Sequence, residues 1–157
     1  MMLQTFRIPA ILAAAVLGFA STPADAQFHE KREAKIAESE KPQNVKGGTT
    51  FQIASSYEKA YDGTLNHFKR EGYVIDSAGK ETGQIVTAMD VKGGYTQTGT
   101  RVLVTCIKDS DTQTSIRVVV TIQKRKKLLQ AEPWGDARAD DAQSTKIAEQ
   151  IRSVLGQ

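Results

Sequence analysis

Ser115-Ile116-Arg117-Val118-Val119-Val120-Thr121-Ile122-Gln123-Lys124 decides how this chain folds. Ile116, Val118, Val120 and Ile122 recur at every second position, with Arg117, Thr121 and Gln123 between them. Side chains along a strand point alternately to opposite faces, so the stretch predicts a strand with one buried and one largely wet side. Extended segments precede it in the chain. Tyr73-Val74-Ile75-Asp76 leads into a polar turn, 85–91 is broken by Lys92-Gly93-Gly94, and 101–108 runs into the turn Asp109-Ser110-Asp111. Short turns between consecutive strands predict an antiparallel meander. Thr49-Thr50-Phe51-Gln52-Ile53-Ala54 adds a short strand ahead of it.

Two helices frame these strands. Tyr57, Tyr61, Leu65 and Phe68 form one stripe at helical spacing, Ser55 and Glu58 suit a capping box, and Gly72 closes the helix. A second helix runs over about 136–155, with Ile147, Ala148, Ile151, Val154 and Leu155 on one side and Gly156 at its end. Two amphipathic helices need an apolar surface, which one sheet face provides. The predicted fold is α+β: an antiparallel sheet of four to five strands with two helices on one face, in the order β-α-β-β-β-β-α. The other face would carry Leu103, Thr105, Val119 and Thr121, a mixture tolerable in water and suited to a partner's sheet or to self-association.

The first 26 residues read as a cleavable signal peptide. Arg7 gives the positive start, Ile8 to Ala20 the apolar run, and Ala24-Asp25-Ala26 a cleavage site that leaves Gln27 first. The apolar run is too short to span a bilayer comfortably, and no membrane span is expected in the mature chain. Residues 27–48 hold few large apolar groups, only Phe28, Ile36 and Val45, and read as a flexible leader with a transient helix around 29–40. Residues 49–157 then form a single α+β domain, placed in the periplasm or secreted.

Composition restricts the chemistry. The formal net charge of +3 is too small to require nucleic acid as a partner. Cys106 is the single cysteine, so no internal disulfide is possible, and its place in an alternating strand predicts a buried, inert thiol. The histidines are His29, in the leader, and His67, expected exposed or half-packed on the first helix. No assembled catalytic, metal-binding or cofactor-binding set is expected from this inventory. Asp109 and Asp111 lack the later residues of a calcium loop, and Gly93, Gly94 and Gly99 lie between strands, where a phosphate loop would lead into a helix.

Two groups remain as candidate sites. Lys124-Arg125-Lys126-Lys127, followed by Leu128, Leu129 and Trp134, could contact anionic lipid or lipopolysaccharide; the plainer reading is a solvated strand end with Leu and Trp in the core. Tyr57, Tyr61, Phe68 and Trp134 could line a pocket between the first helix and the sheet.

The helix ending Glu71-Gly72-Tyr73-Val74-Ile75, then Lys80-Glu81-Thr82-Gly83-Gln84-Ile85-Val86, resembles the helix-grip modules of the BamC type over about 49–156. In those modules a helix stops at glycine, a strand follows, and a second strand begins after a glycine-centred turn. The resemblance implies a bacterial periplasmic domain that binds other macromolecules and performs no chemistry. The function expected is therefore a non-enzymatic envelope module that docks onto another envelope protein or onto itself. The alternative is a small-ligand or lipid carrier.

Overall fold

The computed structural model describes residues 23–127 and 132–156, so the apolar run before Pro23, and Leu128 and Leu129, lie outside the described residues. Helix α1 (Pro23–Glu40) is followed by β1 (Thr49–Ile53), α2 (Tyr57–Arg70), β2 (Ile75–Gly79), β3 (Gln84–Thr87), β4 (Asp90–Lys92), β5 (Thr96–Lys108), β6 (Thr114–Lys126), β7 (Arg138–Ala139) and α3 (Asp141–Leu155). The class is α+β and the sheet is antiparallel, with seven strands among the described residues where four to five were expected. The path runs β1-β6-β5-β3-β2, with β4 added to β5 and β7 to β6. The surplus has local causes. The expected strand over 85–91 divides at Ala88-Met89 into β3 and β4, and the loop after Trp134 pairs briefly with β6 at Thr121 and Ile122.

The β5–β6 hairpin is the frame. Its register runs without interruption from Thr96↔Lys126 to Lys108↔Thr114. On the inner face Val102, Val104 and Cys106 oppose Val120, Val118 and Ile116. These join Phe51 and Ile53 of β1, Ile85 of β3, Ala60, Tyr61 and Phe68 of α2, and Ile147, Ala148 and Ile151 of α3 in one buried cluster. Both helices thus share the inner face, as the two apolar stripes require.

The gap between β1 and β7 leaves part of β6 without a strand neighbour. There α3 supplies the partners: the Val120 N–H donates to Ser144 Oγ at 2.9 Å, and Asp140 N–H donates to the Val120 carbonyl at 2.8 Å. Asp140 also caps α3, accepting from Gln143 N–H at 3.0 Å. The expected Ser55–Glu58 capping box does not form. Helix α2 begins one residue later, at an N-cap Ser56 with no side-chain cap bond, because the Ser55 carbonyl accepts from Thr114 Oγ1 at 2.9 Å and holds Ser55 to β6.

The other end of α2 follows the sequence closely. Gly72 takes φ +80°, its N–H reaches the Lys69 carbonyl and the Tyr73 N–H the Phe68 carbonyl, while the Tyr73 ring meets Phe68 edge-on at 5.0 Å. This is a Schellman stop with its hydrophobic contact. Among the described residues no other heavy atom would touch a Cβ at Gly72, so Gly72→Ala should cost only backbone strain, about 1–2 kcal/mol in a urea melt.

Residues expected to form a leader contain α1, whose helical backbone runs through the expected cleavage point at Ala26. After Glu40 the chain crosses the outer face of the sheet as a strap. Arg117 Nη2 donates to the carbonyls of Val45 and Gly47 at 3.0 and 2.8 Å, Gly48 N–H donates to Asp141 Oδ1 at 2.8 Å, and Gln43 Oε1 accepts from Ala137 N–H at 3.1 Å. Among the described residues no helix is long and apolar enough to cross a membrane.

Candidate functional site

The outer face, opposite α2 and α3, carries the polar half of the β5–β6 alternation. Arg101, Thr105, Thr121 and Gln123 lie here with Leu103, Val119, Arg117 and Arg125, as the register requires. The expectation of a largely wet face holds only in part. Val119 and Thr121 are buried, and Gln123, only 3% exposed, donates from Nε2 to the carbonyls of Ser39 and Gly135. Ile122, on the inner face, is only half-buried. Toward its C-terminal end the cover of β6 thus shifts to its outer side, supplied by the end of α1 and the Trp134 loop.

This places the sequence-derived candidates. Lys124, Arg125, Lys126 and Lys127 do not share a face, because the strand pairing continues through Lys126 and turns alternate side chains to opposite sides. Arg125 is committed within the fold. Its guanidinium lies 4.2 Å from the centroid of the Trp134 ring, its Nε donates to Gln97 at 2.9 Å, and Glu40 stands 3.7 Å away. Lys124, Lys126 and Lys127 remain exposed.

The four expected pocket-lining aromatics also divide. Tyr61 and Phe68 are core residues, 3% and 1% exposed. Tyr57 packs beside them and donates its hydroxyl to the Lys80 carbonyl, pinning the β2–β3 turn to α2. Trp134 sits on the other side of the sheet, where a Cβ on Gly99 would meet it. Gly99, expected in a hairpin tip, is instead inside β5 beneath Trp134 and Met89.

Chemically active groups are scattered. Cys106 is in the inner core, 4% exposed, and burial pushes its thiol from 9.0 up to about 11, a contact with Thr64 working in the opposite direction. His67, expected exposed or half-packed, is 5% exposed because α3 packs beside α2 and covers it. Asp109 accepts from Gln52 and Ser115, as a hairpin residue does. Among the described residues no group of three or more His, Cys, Asp or Glu stands close enough to hold a metal ion.

The buried thiol gives a direct check. A thiol reagent near neutral pH should find no reactive sulfur in the native protein and one per chain after denaturation. The folded chain keeps a proton that the unfolded chain releases above about pH 9, so this contribution to stability is whole below that pH and is lost as pH rises toward 11. The alkaline fall in the urea midpoint should be shallower in Cys106→Ala.

What the outer face does bring together is a groove and two arginines. A groove of about 410 Å³ lies beneath the strap residues Pro42, Asn44 and Val45; Ser77, Gln84, Val86, Leu103, Val104, Thr105, Arg117 and Val119 complete its walls. It crosses β2, β3, β5 and β6 and its lining contains no carboxylate. Beside it on the same face, Arg101 is 7% exposed and its Nε has no hydrogen-bond partner among the described residues. Neither Arg101 nor Arg117 stands in an ion pair among those residues. Arg101 and the half-buried Arg117 thus place two positive charges on this face with no ion-pair partner among the described residues. Comparison with protein-family models and with curated proteins gives no match for the chain.

Proposed function

We propose that the chain is an exported, non-enzymatic protein of the bacterial cell envelope that docks another envelope protein, or a second copy of itself, on the outer face of its sheet. The observation that carries this reading is the half-covered outer face, where Arg101 and Arg117 have no acidic partner among the described residues beside an open groove. A surface with unmet charge and partly apolar walls is suited to a complementary surface. The burial of Cys106, whose thiol is pushed up to about 11 and so holds its proton near neutral pH, supports a binding role over a catalytic one. The carrier alternative would need space where Tyr61 and Phe68 pack, so docking is the stronger reading.

Sedimentation velocity tests this. The purified protein, alone and mixed with an envelope extract, should sediment as a dimer or in a complex. A monomer under both conditions contradicts the proposal. Export has its own check: N-terminal sequencing of the protein from the periplasmic fraction should begin at Gln27, and retention of Met1 would overturn it.

A further inference from the structure

We propose that the groove under the strap takes an extended, acidic peptide segment, with a carboxylate on Arg117 and an apolar side chain against Leu103 and Val119. The proposal rests on the docking reading and names the chemistry of the partner's contact. Charge is the first argument. Arg117 spends Nη2 on the strap carbonyls of Val45 and Gly47, which leaves Nε and Nη1 without a hydrogen bond among the described residues. Arg101 adds a second positive charge on the same face, and no acid lines the groove among the described residues. A carboxylate placed there gains charge-assisted hydrogen bonds and relieves the imbalance.

The composition of the walls selects a peptide over an alkyl chain. Val86, Leu103 and Val119 are interrupted by Asn44, Ser77, Gln84 and Thr105. An acyl tail would cover those polar groups without hydrogen-bonding them, which is costly. A peptide offers an N–H and a carbonyl at every residue. The groove crosses four strands, roughly 14 Å at about 4.8 Å per spacing, the reach of about four extended residues.

The test is an NMR titration of the isotope-labelled protein with three probes: an acetylated hexapeptide of alternating valine and glutamate, its glutamine counterpart, and sodium decanoate. The glutamate peptide should give saturable shifts at the amides of Ser77, Gln84, Leu103 and Thr105. Arg117→Gln should weaken binding at least tenfold. Because Arg117 also holds the strap, Thr105→Glu serves as the second variant. Directly across from Arg117, it puts a carboxylate in the groove that repels an acidic peptide and competes for the guanidinium while the arginine itself is kept, and it should also cost at least tenfold. Lys126→Gln, on the inner side of β6, should change affinity less than twofold. Equal binding of the glutamine peptide, groove shifts from decanoate, or no saturable shift at millimolar peptide would each overturn the proposal. Should sedimentation still report a complex, that failure removes the acidic peptide and not the docking face.

Discussion

Phe68→Ala is expected to lower stability by about 3–5 kcal/mol, read as a fall in the urea midpoint with little change in slope. Phe68 is 1% exposed, at the centre of the layer between α2 and the sheet. Its truncation removes buried apolar surface and leaves a void that neighbouring rings cannot fill. It also removes the partner of Tyr73 at the helix stop, where the two rings meet at 5.0 Å, so the end of α2 loosens with the core. Folded domains of this size hold only about 5–15 kcal/mol in total, and the variant should be partly unfolded at modest urea. Tyr95→Ala, at a 60% exposed ring on the β4–β5 turn, should stay within about 0.5 kcal/mol.

The second large effect is expected at Gly83. Its φ is +70°, a conformation that costs a residue with a Cβ about 1–2 kcal/mol. The backbone also passes so close to β5 that a Cβ would fall against the Cys106 carbonyl oxygen, with the Tyr57 hydroxyl on its other side. The Gly83 carbonyl accepts from the Cys106 N–H at 2.8 Å, so the turn cannot retreat without breaking a strand contact. Strain and overpacking together should cost roughly 2–5 kcal/mol in Gly83→Ala. Gly72→Ala shares the positive φ but meets open space. The difference between the two variants therefore isolates the steric part. Near-equal losses would mean that the β3–β5 contact at Gly83 is looser than described.

The fold was largely legible because burial on one face writes a period into the sequence. The alternation Ile116, Val118, Val120 gave the strand, the stripe Tyr57, Tyr61, Phe68 gave α2, and Gly72 gave its stop. Less legible was whatever depends on one segment meeting a distant one. Ser55 looks like half of a capping box until Thr114 takes its carbonyl. His67 looks exposed until α3 covers it, and nothing near Gln123 announces that Ser39, 84 residues away, will receive its amide.

The candidate site is hidden in the sequence for a similar reason. The run 124–127 stands out in the sequence as adjacent charge, yet a strand sends neighbours to opposite sides and Trp134 claims Arg125. Arg101 and Arg117 are isolated in sequence. A signal for them existed: once the hairpin register is set about Asp111, odd positions pair with odd positions, and Arg101, Arg117 and Arg125 fall on one face. Two-residue periodicity shows which side chains share a strand face. It does not show that they lack acidic partners, which depends on the strap and the Trp134 loop.

A photo-reactive phenylalanine analogue introduced in cells tests most directly whether the outer face is the working surface. At position 103 the analogue would lie in the groove wall; at position 149 it would lie on exposed α3, on the other side of the sheet. Irradiation should yield a discrete cross-linked species, to an envelope protein or to a second copy, from position 103 and none from position 149. Cross-links from 149 alone, or from neither position, would contradict the assignment of docking to the outer face.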